Sequence, residues 1–175
     1  MLAEALADYS GRSGILILAL PRGGVPVAYE VAKSLSAPMD LWLVRKLGVP
    51  GQEELALGAL AGKSICVLND DIIDILNIDQ SAIDAVTARE QVELERRNRP
   101  YRQGRPPPDI RDKIIIIIDD GLATGATMRA AIASLPQAGA TRISPAVPVG
   151  RVASCWQNQP EQGALALPVT TGPFQ

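Results

Sequence analysis

An α/β fold, with a parallel β-sheet flanked by helices on both faces, is what this sequence predicts, on three observations. Apolar runs of strand length alternate with helical segments, the order from which βαβ units are built. The runs "GILILAL" (14–20) and "KIIIII" (113–118) are apolar almost throughout, as in strands covered on both sides. Hydrophobic residues make up 47% of the chain and aromatic ones only 3%, so aliphatic side chains must fill the core. One α/β domain over residues 1–150 is expected, followed by a short atypical tail over 151–175.

Taken in order, "MLAEALADYS" has helical spacing at Leu2, Ala5 and Leu6. "GILILAL" is a buried strand that stops at Pro21, and "VPVAYEVAKSL" (25–35) is a helix that tolerates Pro26 in its first turn. "MDLWLV" (39–44) is a second strand ending on Arg45-Lys46, and "SICVL" (64–68) is a third. Helices are expected over 70–76 and 81–97, the latter opening on the capping-box-like "SAID". Asn69-Asp70-Asp71 suits a helix cap. "RPYRQGRPPPD" (99–109) reads as a loop. Its three arginines fit a lid or a plain polar linker equally. "KIIIII" is a strand, "TMRAAIASLPQAG" (127–139) a helix closed near Gly139, and "RISPAVPV" (142–149) a strand whose two prolines suit a sheet edge.

Composition excludes several functions. The formal net charge of −2 gives no bulk attraction to nucleic acid. Cys66 and Cys155 make neither a disulfide framework nor a metal knot, and suit a reducing compartment. Histidine is absent, which removes histidine-based nucleophilic triads and histidine metal sites. No apolar run reaches membrane-spanning length and no signal-peptide pattern opens the chain, so a soluble cytoplasmic protein is expected.

In open α/β sheets ligands lie beyond the carboxyl ends of the strands. The residues there are Pro21-Arg22-Gly23-Gly24, Arg45-Lys46, Asn69-Asp70-Asp71 and Asp119-Asp120-Gly121. In "IIIIIDDGLATGAT" (114–127), Gly121 and Gly125 allow unusual backbone angles, and Ala123 and Ala126 leave N–H groups accessible. The helix that follows adds its positive end, and Thr124 and Thr127 add hydroxyls. Together they make a cradle for a phosphate monoester. The two carboxylates suit the vicinal hydroxyls of a sugar, or a cation shared with the ligand. A Walker loop would need a lysine that this turn lacks, and a dinucleotide fingerprint would need another glycine spacing.

"IIIIIDDGLATGAT" resembles the ribose-5-phosphate signature of type I phosphoribosyltransferases, which have a Rossmann-like core. "LALPRGGVPVAYEVAKSL" resembles the family's pyrophosphate loop and its helix. "VRKLGVPGQEELALGAL" resembles the segment after the second strand in a bacterial subgroup. The resemblance covers about residues 1–150. It implies binding of 5-phosphoribosyl-1-pyrophosphate with Mg²⁺ and displacement of pyrophosphate from C1 by a nitrogen nucleophile, a nucleobase in most members. By position, Asp119 and Asp120 would take the ribose hydroxyls, directly or through the metal's water. Ala123, Thr124, Gly125, Ala126 and Thr127 would hold the 5-phosphate, and Gly121 would also belong to the substrate-binding set. Arg22, Gly23 and Gly24 would face the pyrophosphate, where relatives often have a strained or cis peptide, and Arg45 and Lys46 would neutralise it. Catalysis would fall to Asp119, Asp120, Arg22 and Lys46. No metal ligand is direct, since Mg²⁺ would arrive with the ligand near Asp119 and Asp120. The family's frequent dimers imply a homodimer, with neither nucleic acid nor membrane as partner.

The pattern breaks at "GRVASCWQNQPEQGALALPVTTGPFQ", where the subgroup continues with a helix, a strand and an aromatic-rich tail. The leading helix is also shorter than the subgroup's, as in a truncated gene product. Without a recognisable hood over the base, the acceptor has no name. A second hypothesis then stands beside the enzyme: a non-catalytic module, regulatory or degenerate, that binds the same ligand. A scaffold for another sugar phosphate is a third.

Overall fold

The computed structural model describes residues 2–62, 65–121 and 125–148. A short α1 (Leu2–Ala5) and a 3-10 turn (Ala7–Tyr9) lead into β1 (Ile15–Ala19), α2 (Gly24–Leu35) and β2 (Met39–Leu41). Then follow β3 (Val44–Val49), β4 (Gln52–Ala61), β5 (Ile65–Leu68), α3 (Asp70–Leu76) and α4 (Gln80–Arg102). The last elements are β6 (Ile114–Ile118), α5 (Ala126–Ser134) and β7 (Arg142–Ala146).

Four of these strands form a parallel sheet in the order β2-β1-β6-β7. Its central pair holds register from Ile15 opposite Ile114 to Ala19 opposite Ile118. Alternation sends the two halves of each strand to opposite faces. Ile15, Ile17, Ala19, Ile116 and Ile118 pack with Ala28, Val31 and Leu35 of α2. Leu16, Leu18, Ile115 and Ile117 pack with Met128 and Ala131 of α5 and with Leu135, which caps it. Helices therefore cover both faces, which is why the strands need no polar side. Ile115 through Ile118 are all fully buried, each stabilising the fold by about 2 kcal/mol through loss of apolar surface to water. Among the described residues β7 is the outermost strand on its side of the sheet, in line with the edge expected for the proline-bearing strand, and Pro145 lies within it.

The sequence reading departs from the structure between residues 39 and 68. "MDLWLV" is not one strand: β2 ends at Leu41, and Val44 begins β3. β5 is not the third strand of the parallel sheet. With β3 and β4 it forms a separate antiparallel sheet in the order β3-β4-β5. The long β4 was not anticipated, because alanine and glycine dominate its second half and have low strand propensity. Pro50-Gly51, with Gly51 at φ 78°, turns β3 into β4 and was the available signal.

Helix boundaries also differ, in α4 and α5. α4 starts at Gln80 behind Asp79, so Ser81 is inside the helix and no capping box forms. Its far end runs through Pro100 to Arg102, where a loop from residue 99 was expected. Proline costs a helix its N–H bond and crowds the preceding turn. Here tertiary contacts offset that: Arg102 donates from Nη1 to Asp40 at 2.7 Å and from Nη2 to the Leu41 carbonyl at 2.6 Å. The helix end is thus tied to β2. α5 is shorter than expected, ending at Ser134, with turns leading to Gly139 at φ 93°.

Candidate functional site

β1 sends its chain through α2 to β2 on one side, while β6 sends its chain through α5 to β7 on the other. The parallel sheet therefore has its topological switch point between β1 and β6, where the departing loops part and leave a crevice. Because Ala19 and Ile118 are in register, the two loops leave the sheet at the same level.

They meet closely. Leu20 donates its N–H to the Ile118 carbonyl at 2.9 Å, and Gly24 donates to the Leu20 carbonyl at 3.0 Å. A Cβ on Gly24 would stand 2.5 Å from the Ile118 carbonyl oxygen, and one on Gly23 would stand 1.9 Å from Oδ2 of Asp120. The glycine pair is thus what lets the first loop press against the acidic loop. The Pro21–Arg22 peptide is cis, at the place where the resemblance implied a strained or cis peptide. Arg22 is exposed at the rim.

Asp119 is half-buried and Asp120 exposed. Oδ1 of Asp119 accepts the Asp120 N–H at 2.9 Å. Burial above all, with the neighbouring Asp120 carboxylate adding to it, pushes the Asp119 carboxyl up to about 6 against a partial offset from that N–H. A carboxyl held this far above its usual range gains from any cation or hydroxyl donor placed against it.

Beyond Gly121, Gly125 takes the left-handed conformation at φ 68° and caps α5, accepting the Arg129 N–H at 2.9 Å. Ala126 and Thr127 form the first turn of α5, the end of a helix whose dipole favours an anion. Ala123 and Thr124 lie outside the described residues, as does the tail from residue 149 onward.

Arg45 and Lys46 do not sit at a parallel strand end, as the sequence reading had them. They are the second and third residues of β3, inside the antiparallel sheet. Arg45 donates from Nε to Oε2 of Glu90 at 2.9 Å, and its Nη2 approaches the same oxygen. Burial opposes ionisation of Glu90, but hydrogen bonds and charge from Arg45 and Arg89 outweigh it and hold the carboxyl below its ordinary value. Lys46 instead lines a cavity of about 580 Å³ between α5 and the antiparallel sheet, with Asn69, Asp70, Ala126 and Arg129. Asn69 stands at the start of α3, where its carbonyl accepts the Ile72 and Ile73 N–H groups at 3.1 Å.

The structure thus brings Gly23, Gly24, Asp119 and Asp120 together, sets Lys46 beside the start of α5, and leaves Arg45 on another face. Glu90 was missed by sequence reasoning. Its one signal was a buried helical stripe, Ile83, Val86, Glu90 and Leu94, into which a carboxylate intrudes. Among the described residues no cluster of His, Cys, Asp or Glu could hold a metal by itself. No helix among them is long and apolar enough to cross a membrane.

Comparison with known proteins agrees with this geometry. A family model described as phosphoribosyl transferase domain matches residues 1–159. Two Mycobacterium tuberculosis proteins, from strains CDC 1551 / Oshkosh and H37Rv and provisionally named phosphoribosyl transferases, are each 49% identical over 149 residues. That match takes in 85% of this chain and 33% of theirs, so the chain spans about a third of their length. The crystal structure of TT1426 from Thermus thermophilus superposes with a TM-score of 0.85 at 38% identity, covering 99% of this chain and 82% of that one.

Proposed function

Since this chain belongs to the phosphoribosyl transferase domain family, we propose that it binds 5-phosphoribosyl-1-pyrophosphate with Mg²⁺ and transfers the phosphoribosyl group to a nitrogen acceptor, a nucleobase. The observation that carries this reading is the meeting of a glycine loop and an acidic pair across the switch point. One site then offers close backbone approach to a leaving pyrophosphate and carboxylates for a ribose diol. The first turn of α5 stands next in the chain for a 5-phosphate.

The residues fit the metal as well. Asp119 and Asp120 are hard oxygen donors, and Asp119 is an under-compensated one, the chemistry Mg²⁺ selects. When bound with the substrate, Mg²⁺ would supply charge neutralisation on the pyrophosphate oxygens. The rest falls to the chain. Asp119 and Asp120 accept hydrogen bonds from the ribose hydroxyls or the metal's water. The N–H groups of Gly125, Ala126 and Thr127, with Gly121, Ala123 and Thr124, hold the 5-phosphate. Backbone at Gly23 and Gly24, with Arg22 and Lys46, stabilises the departing pyrophosphate. In the transfer the C1–O bond to pyrophosphate breaks with its electron pair leaving on pyrophosphate, a C1–N bond forms, and the proton of the acceptor nitrogen passes to the released pyrophosphate or to solvent. The burden is leaving-group charge and exclusion of water, so a chain without histidine can perform it.

Calorimetric titration with 5-phosphoribosyl-1-pyrophosphate, with and without Mg²⁺, tests the reading when pyrophosphate release is followed across a panel of bases. Mg²⁺-dependent binding with base-dependent release is the expected result. Binding without release for any base favours the non-catalytic module, and no binding by folded protein overturns both. The engagement of Arg45 by Glu90 is the observation that keeps the non-catalytic reading in view, because it withdraws one expected pyrophosphate contact.

A further inference from the structure

β3 presents its side chains alternately to two faces. Arg45 shares a face with Leu47 and Val49, which pack with Ile83, Val86 and Leu94 of α4. Lys46 shares the other with Val44, which packs in the cluster of Met128 and Ala131 of α5. Two adjacent cations therefore serve opposite sides of one strand.

Glu90 is only 9% exposed. Both of its oxygens are used: Oε2 accepts from Arg45, and Oε1 accepts from Nε of Arg89 at 3.2 Å. Apolar residues of similar size serve the stability of such a site as well as a buried ion pair does. Stability alone is therefore a poor reason for the pair. Its position along β3 supplies a better one. The register of β3 on β4 shifts between Leu47 and Gly48 and again between Gly48 and Val49. Irregularities of this kind re-aim side chains, and here they begin one residue past Lys46. The tie between Arg45 and Glu90 lies one residue before it. Lys46 itself is held weakly: Nζ donates to the Glu54 carbonyl at 3.3 Å and stands 3.7 Å from a carboxylate oxygen of Glu54, whose side chain is fully exposed. Such an ammonium can exchange its partner for a ligand anion at little cost.

We propose that Glu90 is a positioning residue: by holding Arg45 against α4 just ahead of the register shift, it leaves Lys46 as the cation that β3 presents to the cavity beside the start of α5. This rests on the phosphoribosyl-transfer reading, in which Lys46 meets an anionic group of the donor.

The test uses Glu90→Gln, the apolar pair Arg45→Met with Glu90→Leu, and Lys46→Met. Donor affinity is measured by calorimetry with Mg²⁺, thermal stability is measured in parallel, and ¹³C-methylated lysines are followed by NMR. The chain has only four lysines, Lys33, Lys46, Lys63 and Lys113, so the Lys46 signal is assignable from the Lys46→Met spectrum. Lys46→Met should weaken donor binding about tenfold, the value of one charged hydrogen bond. Glu90→Gln and the apolar pair should approach that loss and move the Lys46 signal, the apolar pair doing so at wild-type melting temperature. If Glu90→Gln does not fold, the apolar pair decides. Wild-type donor affinity with an unmoved Lys46 signal in the apolar pair would overturn the proposal, as would wild-type affinity in Lys46→Met. If wild type binds no donor, the phosphoribosyl reading fails and the Lys46 signal alone judges Glu90: a shift in the apolar pair supports positioning, and none overturns it.

Discussion

β1 and β6 run side by side in unbroken register, with aliphatic side chains filling both faces, whereas β3 and β4 slip register twice within three residues, and Arg45 of β3 is bonded across one face to Glu90 of α4. The first pair is held by dispersion and the exclusion of water, which tolerate no gap and allow little adjustment. Its product is two strand ends at one level, so that the glycine loop and the acidic loop are set against each other. The second pair is joined by an irregular ladder across a turn, is tied to α4 in part by charge, and leaves a cavity against α5. A rigid sheet thus places backbone and carboxylates, while an irregular one aims a single long cation.

The sharpest way to break this contrast is to open the rigid sheet. Ile117→Ala, at a fully buried position between β1 and α5, should cost about 4 kcal/mol in denaturant unfolding, because the cavity cannot collapse between a strand and a helix. A cost comparable to that of a surface change would mean the sheet is less tightly packed than described.

Next in size is the acidic pair. Asp119→Asn with Asp120→Asn should weaken Mg²⁺-dependent donor binding by about a hundredfold, as removal of two charged hydrogen-bonding groups implies, with the circular dichroism spectrum unchanged. Unaltered affinity in a folded double variant would remove both residues from the site.

A smaller effect is expected where the loops touch. Gly24→Ala puts a methyl 2.5 Å from the Ile118 carbonyl oxygen, so the loop must back away, at about 2 kcal/mol of stability with weaker donor binding. An Ala variant as stable as wild type would show that the close approach is not needed.

The mildest is a pH effect that sharpens the electrostatic side. With Asp119 at about 6 in the folded chain against an ordinary 3.8, the folded state binds more protons than the unfolded one between those values. Its contribution to stability therefore falls as pH rises from about 4 to about 6, then levels. Asp119→Asn removes that slope, so the variant should gain on wild type at pH 7 relative to pH 4.5. Equal differences at both values would contradict the burial of this carboxyl. Donor affinity should rise over the same window, as Asp119 ionises.

How much of this was written in the chain depends on the range over which each feature is decided. Strand-length aliphatic runs, helical spacing in residues 25–35 and the string "DDGLATGAT" are local, and they placed the parallel strands, their helices and the two loops of the crevice by chain position alone. Strand propensity and burial on both faces act within a few residues of each side chain, so such elements are legible without their partners. Pairing is another matter. β4 is weakly strand-like by composition and exists because β3 and β5 satisfy its backbone. α4 passes through Pro100 because Asp40 and the Leu41 carbonyl, some sixty residues away, hold Arg102. Arg45 and Lys46 look equivalent as neighbours, and only the pleat of β3 between two helices separates a cation spent on Glu90 from one left facing a cavity. The parallel core and the residues at the ends of β1 and β6 were thus legible in the chain, because they follow from local hydrophobic pattern. The second sheet and the division of its charges emerged with the folded molecule, because hydrogen-bond partners and ion pairs across distant segments leave no periodic trace along the sequence.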